Sequence, residues 1–484
     1  MEHSTNDTTS GGAPHHNYNP GDTGFVLAST ALVWLMIPGV GYFYSGMARS
    51  KSALSLIMLS CWSIAVVSVQ WFLFGFSLTF SKTGSFFVGN FDHALLNDVY
   101  NEPNVVNNAI PDLAFCIYQG MFAAITPALA IGAAAERGRF LPTTIFIFLW
   151  TSCVYDVLAY WTWNQNGWGA KMGGLDFAGG TPVHVSSGAA ALAYAVILGH
   201  RERAHEKEEF KPHNMSNVFL GTAFLWFGWF GFNGGSALQP NIQAVMACFV
   251  TNLSACVGGI TWVLLDYRHE KKYSALGFCA GAVAGLVCIT PACGYVGPGS
   301  SIAFGVCGAM ACNLALNFKR FLPYDDALDV FAVHGVGGIV GNLLTGIFAQ
   351  KSYAFDTIEG GFLDGHYMQI VHQLADTAAG LAWSFVVTFI ILWIMNKIPG
   401  LSLRVDIEVE RAGLDQAEHG ISCYEHVEDV KGMSQSSQIQ FGNIQFGMGS
   451  NNGNHQNAQY NYKSGVVSVG LHNTNAFQVE QSRL

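Results

Sequence analysis

Eleven long apolar runs punctuate this sequence, and runs of that kind admit few folds. A bilayer core of about 30 Å takes roughly 20 mostly apolar residues as a helix. Lipid offers the backbone no hydrogen bonds, so only helices or closed barrels cross it. Runs meeting the length test lie at roughly 25–47, 53–80, 112–135, 141–163, 182–199 and 217–237. The remainder lie at roughly 241–265, 274–292, 299–317, 327–349 and 368–397. Charged residues make up 11% of the chain and hydrophobic residues 51%, whereas a soluble chain carries about 25% charged. The expected fold is an all-α polytopic membrane protein with eleven transmembrane helices, the last long enough to cross at a tilt.

The basic residues predict the orientation. Loops expected on one side hold Arg49, Lys51, Arg137, Arg139, Arg201, Arg203, Lys207, Lys211, Arg268, Lys271, Lys272, Lys319 and Arg320. Those on the other side hold only Lys82, Lys171 and Lys351. Positive charge favours the cytosolic side, so the N-terminus is expected outside and the C-terminus inside. Residues 1–24 form the exterior segment. They lack a basic stretch followed by an apolar one, so the first helix is expected to direct insertion. Asn6-Asp7-Thr8 is a sequon on that side, making Asn6 a candidate glycosylation position.

Several function classes are excluded. Twenty-two Lys+Arg against 32 Asp+Glu give a net charge of −10 with no basic stripe, which argues against nucleic acid as a partner. The 11 cysteines include no C-x-x-C pair and read as small buried hydrophobes. There is no nucleotide-binding Gly-Lys-Ser/Thr loop and no Gly-x-Ser-x-Gly elbow, so neither an enzyme nor a cofactor is expected.

A short internal repeat carries the chemistry. Asp176 precedes His184 by eight residues, and Asp326 precedes His334 by eight. Val183-His184 and Val333-His334 share a Val-His-x-x-x-Gly core ending at Gly188 and Gly338. One copy opens the fifth run and the other the tenth. A five-helix repeat must enter the membrane inverted, which places a binding site between the halves near the midplane. Of 16 histidines, only His184 and His334 fall well within the runs. A lone intramembrane histidine is more often hydrogen-bonded structure. Two at matching places favour an ion or proton path, because ionisable groups are costly in lipid. A shared proton would leave an outward lone pair free to take one from a passing solute. Two imidazoles are too few for a zinc site.

Aromatic residues surround the expected path. Trp161 and Trp163 end the fourth run, while Phe122 and Phe232 lie within theirs. Singly, each reads as packing or interfacial belt; together they can also hold a cation at ~0.5–2 kcal/mol per face. Ser236 follows Phe232 by one helical turn and could share its face. Asp176, outside the Gly179-Gly180 break, is placed either to cap a helix or to stabilise a cation at the mouth. After the membrane region of 25–399, residues 400–430 are charged and amphipathic. Residues 431–484 are rich in Gln, Asn, Gly and Ser, a composition that cannot bury a core. Ser434, Ser436 and Ser437 in that stretch are candidate phosphorylation positions or plain linker serines.

These residues resemble the ammonium transporters and Rhesus-type channels (Amt/Mep/Rh), and most closely the Amt/Mep branch in a fungal form. Matching segments include Gln119-Gly-Met-Phe-Ala-Ala-Ile-Thr126, Asp176-Phe-Ala-Gly-Gly-Thr-Pro-Val-His184 and Gly228-Trp-Phe-Gly-Phe-Asn-Gly-Gly-Ser236. Asp329-Val-Phe-Ala-Val-His-Gly-Val-Gly-Gly338 and Glu410-Arg-Ala-Gly-Leu-Asp415 continue the match, which spans roughly 24–426. The resemblance implies two inverted five-helix halves plus a final helix, assembled as a homotrimer with one pore per subunit. It implies that His184 and His334 are twin pore histidines and that Phe122 and Phe232 form a stacked outer gate. Trp163 and Ser236 match the recruitment site, and Asp176 the acidic residue near that mouth. Asn164-Gln165-Asn166 departs from the family's Gly-rich stretch and lengthens the step from Trp163 to Asp176 by one residue. Residues 400–426 are expected to dock beneath the pore. The implied function is selective ammonium uptake across the plasma membrane. The alternatives are a neutral ammonia channel or an ammonium sensor signalling to a regulatory protein or kinase at the C-terminus.

Overall fold

The computed structural model describes residues 16–202, 211–321 and 324–424. Asn6, Ser434, Ser436, Ser437 and the 431–484 stretch lie outside the described residues. Helices occupy every one of the expected runs: α1 (Pro20–Met47), α2 (Ser50–Phe80), α3 (Asp112–Ala134), α4 (140–163), α5 (Gly180–Leu198) and α6 (215–234). They continue with α7 (Ile242–Glu270), α8 (Ala275–Ile289), α9 (Pro298–Phe318), α10 (Phe331–Phe348) and α11 (Met368–Met395). Among the described residues nine helices are long and apolar enough to cross a membrane. The other two differ from expectation: α8 has only 15 residues, and α6 carries Asn217 and Asn233. No β-sheet forms among the described residues, only two isolated bridges. The chain is an all-α, multi-pass membrane protein.

Polar side chains set the helix starts. Asn19 accepts from the Gly21 amide at 2.8 Å ahead of Pro20, Asn241 from Ala244 at 2.9 Å, and Ser274 from Gly277 at 2.8 Å. Several helices contain a π-helical turn, a feature often found where a helix carries function. Two of these turns, Gly180–Val185 and Phe331–Val336, open α5 and α10 and contain the two intramembrane histidines. A third, Phe230–Gly234, ends α6 and contains Phe232.

The helices α5 and α10 cross in backbone contact. A Cβ added at Gly188 would fall on the nitrogen and Cα of Gly335. A Cβ at Gly338 would meet His184 Cβ at 3.1 Å. Only small residues allow two helices to approach this closely.

The segment after α11 folds back against the loops following α1, α3 and α5. The Arg139 amide donates to the Leu403 carbonyl, and the Val405 amide to that of Arg137, each at 3.0 Å. Arg49 Nε donates to Glu136 at 2.8 Å, and Arg201 holds Asp325 through Nε at 2.8 Å and Nη2 at 2.9 Å. Burial works to raise the Asp325 carboxyl, but the Arg201 hydrogen bonds and charge outweigh it and hold it well below the usual carboxylate range. A depressed carboxyl stabilises the fold above its unfolded value of about 3.9 and loses that contribution as pH falls through the folded value. At neutral pH the tie is fully formed.

Asp415 ties this segment to the start of α2. Its carboxylate accepts from the Leu54 amide at 3.0 Å, the Ser55 amide at 2.9 Å and the Ser55 hydroxyl at 2.9 Å. It therefore caps from a distance the α-helical part of α2, which begins at Ala53, since Ser52 at the cap position makes no side-chain capping bond. Asp415→Ala should cost about 2 kcal/mol, the range for a buried charged hydrogen-bond partner. The check is a thermal melt of the purified protein with limited proteolysis. Unchanged melting and no new cleavage after residue 400 would refute the capping role.

Candidate functional site

The site begins with how two histidines are held. Asp176 Oδ1 accepts from the amides of Gly179 at 2.7 Å and Gly180 at 2.8 Å, and Oδ2 from that of Thr181 at 2.7 Å. Three amides at the first turn of α5 are thereby satisfied, so capping is the interaction that Asp176 makes. In the second copy Asp326 Oδ2 accepts from the Phe331 amide at 2.7 Å. The two motifs match position by position. Three residues after each aspartate the backbone turns left-handed, at Gly179 (φ +118°) and Asp329 (φ +59°). Five residues after it lies the capped amide, and eight after it the histidine.

The two imidazoles meet. His184 Nδ1 and His334 Nδ1 are 3.3 Å apart, the ring centroids 5.4 Å apart, and both side chains are buried. With both rings neutral, such a contact requires one Nδ1 to donate and the other to accept, so the two rings hold opposite tautomers. His184 Nε2 is buried without a hydrogen-bond partner. That nitrogen is an unused donor or acceptor in the interior.

Aromatic rings close one side of the pair. Phe232 stacks toward His184 at 6.0 Å with 18° between planes, and Trp229 at 5.6 Å with 29°. Phe122 lies against Phe232 at 4.2 Å, and both are 1% exposed. Beyond them opens a cavity of about 530 Å³ whose lining includes Gln119, Trp163, Asp176, Ser236 and Tyr295. Trp163 meets Phe122 edge-on at 6.0 Å. Its Nε1 donates 3.0 Å to the Asp176 carbonyl, so the longer connection still brings the two together. Asn164 secures that connection by donating to the carbonyls of Thr79 at 3.1 Å and Ser81 at 3.0 Å. Ser236 Oγ bonds the Phe232 carbonyl at 2.9 Å and lies 3.4 Å from the Tyr118 hydroxyl. Trp161 stands apart, donating to the Phe87 carbonyl at 2.7 Å and packing on Trp168 and Trp383.

On the far side His334 lines a second cavity of about 270 Å³, with Tyr44, Leu129, Trp229, Val330 and Val333 among its neighbours. Two cavities thus face each other across Phe122, Phe232, His184 and His334. Sequence reasoning missed Trp229 and Gln119. Gln119 is 8% exposed and its buried Oε1 has no partner, yet it borders the larger cavity. A glutamine within an apolar run was the available signal. Among the described residues no group of three metal-ligating side chains converges.

The same architecture recurs in known proteins. A sequence profile described as Ammonium Transporter Family matches residues 24–424. Ammonium transporter 1 of Schizosaccharomyces pombe is 53% identical over 84% of this chain and 83% of its own length. Ammonium transporter MEP2 of Saccharomyces cerevisiae is 45% identical over 83% of each. The crystal structure of Candida albicans Mep2 superposes with a TM-score of 0.78 at 47% identity, covering 81% of this chain and 87% of that one. The matched region takes in both histidine motifs, both cavities and the segment that caps α2, and by sequence and by fold this chain belongs to the Ammonium Transporter Family.

Proposed function

We propose that the protein carries ammonium selectively across the plasma membrane. The observation that supports this best is the buried His184–His334 pair, 3.3 Å apart between two cavities. Ammonium enters the larger cavity, where Trp163, backed edge-on by Phe122, offers an aromatic face and Ser236 an oxygen. It loses part of its water there, passes the Phe122–Phe232 gate and gives up a proton near the twin histidines. Ammonia continues through the apolar stretch beyond them. The proton follows through the paired imidazoles, whose unshared nitrogens allow one ring to accept as the other donates. Potassium has no proton to surrender, so exclusion is chemical rather than steric.

All eleven helices cross the membrane in this reading, as two inverted five-helix halves followed by α11, with one pore in each subunit of a homotrimer. The matched Asp–His motifs at the starts of α5 and α10 support the inverted halves. Arg49, Arg137, Arg139 and Arg201 lie on the side where residues 400–424 dock, which supports a cytosolic C-terminus and an exterior N-terminus. Asn6 is then a glycosylation position outside, and Ser434, Ser436 and Ser437 are candidate targets of a kinase inside.

The test is charge displacement in proteoliposomes after an ammonium jump, with potassium and sodium jumps as controls. We expect current with ammonium alone. A change of internal pH without current would replace the proton relay by neutral ammonia passage, and current with potassium would refute selectivity by deprotonation.

A further inference from the structure

The helix α11 presents a row of buried polar side chains to its neighbours, and half of the row binds backbone. Gln369 Nε2 donates to the Gly173 carbonyl at 2.8 Å, Gln373 exchanges bonds with Leu175 at 2.7 Å, and Ser384 donates to the Ser186 carbonyl at 2.7 Å. Asp376 is the ionisable member of the row, 5% exposed, and its hydrogen-bond partner is the hydroxyl of Thr181. A neutral amide such as those at 369 and 373 would be the cheaper choice, since ionisable side chains are costly within membrane helices.

The contact leads to both pore histidines. Thr181 lies three residues before His184 in the π turn that opens α5, with its amide held by Asp176. Its hydroxyl receives a bond from Asn342 Nδ2 at 2.8 Å, and the same nitrogen donates to Thr377 Oγ1 at 2.9 Å. Asn342 lies on α10, eight residues after His334. An ionised carboxylate only accepts, so while Asn342 donates to Thr181, the single hydroxyl proton of Thr181 goes to Asp376. The acceptor at 376 thereby fixes the direction of the whole chain of bonds, which runs from α10 to α5 to α11. Little slack exists around it. A Cβ at Gly380 would collide with Thr181 Cγ2, and one at Gly180 with Asn342 Oδ1.

We propose that Asp376 is a positioning residue that acts through Thr181 and Asn342 to hold the spacing of His184 and His334. This rests on the ammonium-transport reading above. Asp376 borders neither cavity described, so its removal leaves the recruiting groups in place and alters the step at the histidines.

Ammonium-driven current is measured in proteoliposomes for full-length wild type, Asp376→Ala, Thr181→Val, the double variant and Thr181→Ser, each normalised to folded protein. Maximal current should fall about tenfold in both single removals, the scale of a small misplacement at a reacting centre, with half-saturating ammonium unchanged within about twofold. The double variant should be no worse than either single one, because both break one chain of bonds. Thr181→Ser keeps the hydroxyl and should restore at least about half the current. Wild-type maximal current in folded Thr181→Val, additive losses, or a rise in half-saturation matching the loss of rate would overturn the proposal while leaving transport intact. If Asp376→Ala does not fold, the Thr181→Val and Thr181→Ser pair decides alone. Silence of the wild type would remove the transport reading and this inference with it.

Discussion

His184→Ala and His334→Ala should each lower ammonium-driven current on the order of 100-fold, the lower end of what a positioned proton acceptor contributes. The Nδ1 atoms of the two rings sit 3.3 Å apart between two cavities, and each ring is packed by aromatic or apolar side chains. Alanine removes a relay member and also opens space between the cavities. A wider passage admits partly hydrated ions, so potassium current should appear as ammonium specificity is lost. Electrical recording in proteoliposomes with ammonium and potassium jumps provides the comparison. Full ammonium current with potassium still excluded in either variant would rule out proton transfer through the pair.

Gly188→Ala should damage the protein as a whole. The methyl has no flexible side chain to displace, because the atoms it meets are the backbone nitrogen and Cα of Gly335. Relief requires α5 and α10 to separate just below the histidines, which stretches the Nδ1–Nδ1 contact and opens the packed crossing. Overpacking of a rigid site typically costs 1–3 kcal/mol, and a backbone collision belongs at the upper end, about 3 kcal/mol. Gly299→Ala is the matched control, since nothing lies within 4 Å of the Cβ it would add. Thermal unfolding of the two purified variants should differ by several degrees. Equal melting temperatures would show that the crossing can yield.

The sequence made some of this legible and hid the rest for physical reasons. Apolar run length located helices at all eleven expected places, because lipid imposes length and composition together. It could not show which face of a helix meets protein, since lipid-facing and core-facing residues are both apolar. The crossing at Gly188 and Gly335 was therefore invisible, although both glycines stand in the sequence. His184 and His334 were legible because an ionisable group in an apolar run is conspicuous. The same rule points to Asp376, which went unremarked because it has no partner in the internal repeat. The match between Asp176 and Asp326 was visible as spacing, yet only coordinates reveal that both cap a helix and that a left-handed residue follows each by three positions. The connection from Trp163 to Asp176 is one residue longer than the resemblance implies, and Asn164 secures it by bonding two carbonyls of the neighbouring connection.

The cap on α2 also bears on the order of events at the ribosome. Leu54 is separated from the carboxylate that satisfies its amide by 361 residues. At about 5–20 residues per second, translation needs roughly 20–70 s to bridge that gap. Throughout that interval the second helix sits in the bilayer with its first amides served only by water. A late part of the chain is thus the part that finishes one of the first, and a polypeptide cut between residues 395 and 415 carries all eleven helices but leaves the first turn of α2 without its carboxylate.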